Sequence, residues 1–186
     1  MSKNPLSLKG IEFIEFSVRD PKHLDQLWNE MGFTKTARHP EISVDLYQQN
    51  DIHLLVNSAP DTFGARFQSL HGPSISAMGW RFENPEEALR EAVDRGARRC
   101  EQGDYLDSQG ARVPAIFGIG ESLIYFVRSM SDLHLQSLSA VKPNPSKGFL
   151  AIDHLTNNVF KGTMQKWASF YKEIFGFEEV RYFDIK

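Results

Sequence analysis

Residues 148–186 read GFLAIDHLTNNVFKGTMQKWASFYKEIFGFEEVRYFDIK, a strand, a helix and the opening of a second strand. His154 to Val159 supplies the first strand. Met164, Trp167, Phe170, Tyr171 and Ile174 fall on one helical face. Glu178 to Ile185 opens the next strand. The unit is expected to begin here and to be left incomplete.

The same grammar stands twice earlier in the chain. Ile11 to Val18 reads as a strand; Asp20-Pro21 gives a cap and a first-turn proline; Leu24, Leu27, Trp28 and Met31 form a stripe closed by Gly32. Phe33–Arg38, Ile42–Gln48 and Ile52–Asn57 follow as three extended runs. After a connector over Pro60–Pro73 with a short helical piece, the pattern returns. Ile75–Phe82 is the strand, Asn84-Pro85 the cap, Ala88, Leu89, Ala92 and Val93 the stripe, and Gly96 the stop. Arg98–Cys100, Val113–Phe117 and Ser122–Val127 complete it, with Gly118-Ile119-Gly120 as a hairpin turn. Two landmarks share one offset, since 84 − 20 = 64 and 96 − 32 = 64, which marks an internal repeat. The expected fold is α+β: repeated βαβββ modules forming curved mixed sheets with helices outside. Residues 11–129 form a domain of two modules, 130–147 a polar connector around Pro143-Asn144-Pro145-Ser146, and 148–186 the start of a third module.

Composition narrows the function. A net charge of −3 and pI near 6.1 give no footprint for nucleic acid or an anionic membrane. One cysteine, Cys100, excludes an intrachain disulfide and a thiolate cluster. The first ten residues lack the apolar run of a signal peptide, and no stretch approaches the ~20 apolar residues of a membrane span. The expectation is a cytoplasmic protein.

The chemistry centres on Asp153-His154. When the three first strands are aligned by the apolar residue five positions on, Phe13, Ala77 and His154 coincide. Only the third offers a metal-capable side chain. Imidazole suits iron, zinc, copper and nickel, and a strand would hold it rigidly. Strand alternation sends Asp153 to the other face. The remaining histidines, His23, His39, His53, His71 and His134, read as loop, turn or surface residues, and Glu12 and Glu15 as outward-facing. Phosphate-loop, Gly-x-Ser-x-Gly and His-Glu-x-x-His patterns are absent.

IDHLTNNVFKGTMQKWASFYKEIFGFEEVRYFDIK, with GIEFIEF, MGFTKTARH, HGPS, RGA and VPAIFGIGESLIYFV before it, resembles the 4-hydroxyphenylpyruvate dioxygenase family over almost the whole chain. The resemblance implies a glyoxalase-like (vicinal oxygen chelate) fold, an amino-terminal domain without metal, and a catalytic domain that opens at 148. It implies Fe(II) held by two histidines and a glutamate, with His154 as the first ligand and the others beyond Lys186. Where the family carries a second histidine in this strand, Asn157 stands here. The implied partners are an aromatic 2-oxo acid and O2, the product homogentisate, the setting tyrosine catabolism, and the assembly a homo-oligomer. Some bacterial members carry the label haemolysin or legiolysin, but nothing apolar here supports a pore. These 186 residues alone are expected to be inactive. The alternatives are 4-hydroxymandelate synthase, and a non-catalytic glyoxalase-fold binding module.

Overall fold

The computed structural model describes residues 4–181. Eight strands form one mixed sheet in the order β6-β7-β5-β1-β4-β3-β2-β8. They are β1 Leu8–Ser17, β2 Thr34–Arg38, β3 Val44–Gln49, β4 Ile52–Asn57, β5 Ser74–Phe82, β6 Ala115–Phe117, β7 Leu123–Val127 and β8 Gln136–Ser137. The helices are α1 Lys22–Glu30, α2 Phe63–His71, α3 Pro85–Asp94 and α4 Met164–Phe175.

The repeat is physical. β1 runs parallel to β4, and β5 runs parallel to β7. The two modules meet where β1 and β5 pair antiparallel. Ile14 lies directly opposite Met78 in that ladder, and 78 − 14 = 64 is the sequence offset. A residue facing its own repeat equivalent lies on the pseudo-twofold axis, so that axis passes between Ile14 and Met78. The helix stops match as well. Phe33 N–H donates to Trp28 O at 2.8 Å, and Ala97 N–H, 64 residues on, donates to Ala92 O at 2.9 Å.

Local chemistry sets the helix ends. The Asn84 side chain accepts from Glu87 N–H and Pro85 sits at the first turn of α3. Asp20 accepts from Lys22 N–H at 3.1 Å. Thr62 caps α2 by accepting from Ala65 N–H. Gly176 takes φ 74° after α4.

Both faces of the sheet are buried. Ile14, Leu54, Val56, Met78, Trp80, Ile124 and Phe126 pack on one face with Trp28 of α1, Leu89 of α3 and Phe175 of α4. Phe13, Leu55, Ala77, Leu123, Tyr125 and Val127 pack on the other with Tyr105 and Val113. Gly79 has no room for a side chain: a Cβ there would stand 2.1 Å from the Phe13 ring.

Four expectations differ. Arg98–Cys100 contributes a single bridge, Arg99 to Ile116, in place of a strand. Within the expected connector, β8 pairs with β2. Residues 154–159 form no strand. An extended segment needs a neighbour for its N–H and C=O groups, and no described segment pairs with this one. The second strand expected over Glu178–Ile185 is not formed at 178–181, and its remainder lies outside the described residues.

Residues 144–150 are strapped to the first module. Asn144 N–H donates to Thr34 Oγ1 at 2.8 Å, and its Nδ2 to Phe33 O and Asn29 Oδ1. Gln49 Oε1 accepts from Ser146 Oγ and Lys147 N–H. Asn50 Nδ2 donates to Phe149 O, and Asp51 N–H to Leu150 O. Gly32, at φ +82°, leaves the space: a Cβ there would stand 2.6 Å from Pro145 O.

Candidate functional site

His154 sits on the stretch between the strap and α4. Ile152 and Leu155 on either side pack partly into the helix-face core. The imidazole itself is exposed, and its Nδ1 lies 2.6 Å from Asp153 Oδ2. This corrects the strand alternation: Asp153 and His154 turn toward each other because no ladder fixes them on opposite faces. A carboxylate on Nδ1 orients the ring and leaves Nε2 outward, the arrangement many metal-binding histidines share. Among the described residues no group of three or more His, Cys, Asp or Glu side chains could hold a metal ion. Imidazole is a chemically apt donor for iron, and His154 offers one such nitrogen to solvent.

Phe13 in β1 and Ala77 in β5 stand 64 residues apart, at matching places in the two copies. Phe13 and Ala77 are fully buried in one cluster on the non-helix face. Against His154 in the sequence alignment of the three expected strands stand a phenyl ring and a methyl group. Phe13 fills the slot of Gly79 and packs edge-on to Tyr105 at 6.4 Å. That face is plugged with hydrocarbon.

Beside the plug lies a polar cluster. Glu15, expected to face outward, is 1% exposed. Its Oε2 accepts from Tyr105 OH at 2.7 Å, and its Oε1 from Asn57 Nδ2 at 3.0 Å and Ser76 Oγ at 3.1 Å. Burial, then the neighbouring Asp104 charge, push its carboxyl up to about 7. Asp104 accepts from Phe63 N–H at 2.6 Å and Gly64 N–H at 2.9 Å, at the start of α2. Burial raises its carboxyl too, against the pull of those N–H groups. Asn57 Nδ2 reaches Asp104 Oδ2 at 3.3 Å, so one amide bridges the two acids.

Glu12 is also buried, with Arg81 on one oxygen and Met130 N–H on the other at 2.9 Å. His53 is a buried ladder residue, not a surface one. Its Nδ1 meets Glu12 O at 2.9 Å and its Nε2 meets Gln48 Nε2 at 2.8 Å. His39 is in a loop but buried, its Nδ1 accepting from Glu41 and Ile42 N–H. The two glutamates were missed because β1 is buried on both faces and bulged between Ile11 and Phe13, which hides the alternation that separates inside from outside. The signal in the sequence was two acids in one Phe/Ile-rich run.

Two βαβββ modules joined across their first strands define a glyoxalase-like α+β fold. Within it the chain belongs to the hydroxyphenylpyruvate dioxygenase family, whose amino-terminal region matches residues 2–141. It is 44% identical over 190 residues to the protein MelA of Shewanella colwelliana, covering 99% of this chain and 54% of that one. It is 40% identical over 192 residues to the 4-hydroxyphenylpyruvate dioxygenase of Pseudomonas aeruginosa, covering 98% and 53%. A solved xylose isomerase-like TIM barrel/4-hydroxyphenylpyruvate dioxygenase fusion protein superposes with a TM-score of 0.81 at 26% identity, over 94% of this chain and 28% of the other. The chain spans about half the length of the curated relatives it matches.

Proposed function

We propose that this chain is the amino-terminal portion of an Fe(II)-dependent dioxygenase that converts 4-hydroxyphenylpyruvate and O2 to homogentisate and CO2. The observation that carries the reading is the family match over residues 2–141 together with whole-chain likeness to named dioxygenases. Residues 11–129 serve as the metal-free domain, 130–147 as the connector and 148–186 as the start of the iron-binding domain. Bound Fe(II) would supply a Lewis-acid and redox centre for the oxo acid and oxygen. The described residues contribute three things. His154 presents Nε2 as one donor. Asp153, on Nδ1, selects the tautomer that leaves Nε2 unprotonated and raises its basicity. Ile152 and Leu155 seat the segment on the first domain. The parent protein is read as a cytoplasmic homo-oligomer of tyrosine catabolism; among the described residues no helix is long and apolar enough to cross a membrane.

The test is oxygen uptake with Fe(II) and 4-hydroxyphenylpyruvate, with product identified by chromatography. The 186-residue chain gives no turnover, the chain extended to the length of its relatives gives homogentisate, and His154→Ala in that longer chain loses both turnover and stoichiometric iron. Turnover by the short chain, or full iron retention by His154→Ala, sinks the reading.

A further inference from the structure

The two copies differ most on the face that carries the helices. At the offset of 64, Leu24, Trp28 and Phe33 of the first copy stand against Ala88, Ala92 and Ala97 of the second. All six lie in or against the helix-face core. The first copy fills its own space: the Trp28 ring lies 5.2 Å from Phe16 and 5.8 Å from Phe33. The second copy gives that bulk up at three stations. A folded core keeps its packing density, so bulk withdrawn by α3 has to come from elsewhere. It comes from α4. Trp80 stands at the station of Phe16, and its ring meets Phe175 at 4.6 Å, Phe177 at 5.7 Å and Tyr171 at 6.1 Å. Phe175 also meets Phe126 of β7 at 6.3 Å and is buried.

The rim changes with the floor. Leu27 and Met31 pack partly into the core in the first copy; their stations in the second hold Glu91 and Arg95. Arg95 Nε donates to Glu91 Oε1 at 2.6 Å, and its Nη1 to Glu173 O, in the last turn of α4, at 3.2 Å. A cation on the closing carbonyls of a helix is favourable. An apolar floor with a polar rim is the anatomy of a docking surface. Neither Trp28 nor Trp80 has an acceptor for its indole N–H among the described residues, so packing alone sets both rings. Upstream, the strap ends where Asp51 N–H donates to Leu150 O at 3.2 Å. Residues 151–163, His154 among them, thus run between two attachments to the same body.

We propose that the second copy is a receptor for the helix of the module that follows, and that α4 in this slot and the strap at Gln49 together position the segment bearing His154. Trp80 and Phe175 are then positioning residues for the iron donor, a role that rests on the reading of His154 given above. A loop fixed at both ends explores far fewer arrangements than one fixed at a single end. With α4 released, the segment hangs from Leu150 alone and presents its imidazole over a wider range of positions. Metal binding then has to overcome the entropy of gathering it, and the donor loses its fixed place. The copies have parted in function: the first closes over its own core, and the second stays open to a partner helix.

The test rewrites the second copy as the first. Ala92→Trp combined with Trp80→Phe sets the Trp28–Phe16 pairing at its repeat stations. In the 186-residue chain, hydrogen exchange is expected to show the β1–β5 ladder unchanged and α4 protection lower on the order of tenfold or more. Phe175→Ala alters no residue of the first two modules and gives the same release, so it decides if the double variant fails to fold. The metal arm uses the chain extended to the length of its relatives. There both variants bind Fe(II) on the order of tenfold more weakly in anaerobic chelator competition. The visible spectrum of the Co(II)-loaded chain shifts as well, which a loss of stability alone does not produce. Unchanged α4 protection in a variant that keeps its ladder overturns the receptor. Unchanged metal affinity and Co(II) spectrum with α4 released overturn the positioning. Iron retained by His154→Ala is a separate failure: it removes the reading of His154 and the positioning with it, while the exchange result still judges the receptor.

Discussion

Gly79 and Glu15 occupy the same station in the two copies, since 15 + 64 = 79, and each is legible only in the fold. A glycine in mid-strand looks like a weakness in the sequence; here it is the slot for the Phe13 ring. Gly79→Ala puts a methyl group inside that ring, and we expect a loss of about 1–3 kcal/mol, measured by urea unfolding. Glu15 carries the pH dependence. Its carboxyl is raised in the fold to about 7 from an ordinary value of 4.5. Between those values the folded chain holds a proton that the unfolded chain has released, so this residue's contribution to stability is greatest below about 4.5 and falls as pH rises toward 7. The loss from this residue is on the order of 3 kcal/mol, and Glu15→Gln flattens that slope. The pairing of His154 with Asp153 was not legible, because strand alternation was assumed where no ladder forms.

At the scale of elements, the helices were the most readable, and for stated reasons: cap residues, first-turn proline and closing glycines act locally and do not need the rest of the fold. The strap was not readable, because its bonds join residues about a hundred positions apart. Proline and asparagine in 143–146 suggested a loose connector, yet Asn144 is bonded to Thr34, Phe33 and Asn29, and Ser146 to Gln49. Gly32→Ala forces a side chain into positive φ and into Pro145 O. We expect about 1–2 kcal/mol of destabilisation and selective loss of amide protection over 144–150, with the β1–β5 ladder intact. α4 is seated differently, by aromatic packing: Phe175 lies 4.6 Å from the Trp80 ring centre and Tyr171 lies 6.1 Å away. Phe175→Ala removes a 2%-exposed ring and should cost about 3 kcal/mol or more, read as loss of α4 protection in hydrogen exchange.

Across the whole molecule, the offset of 64 was visible in caps and glycines, but the strand order was not, since pairing depends on which edges meet. Exposed apolar side chains concentrate in the last third: Leu150 71%, Phe160 89%, Met164 59% and Val180 94%. Apolar side chains left in water in this number invite association. The 186-residue chain is expected to self-associate with concentration in light scattering, and Leu150→Ser with Phe160→Ser to restore the monomer. The seam between the copies carries a further consequence. β1 and β5 are each other's neighbours, and so are β2 and β8, so a backbone cut between Asn57 and Phe63 gives two pieces that match in register along two ladders. Expressed apart, the pieces would be sticky; expressed together, they should find one another, which makes this loop a place to split the protein into a self-reassembling pair.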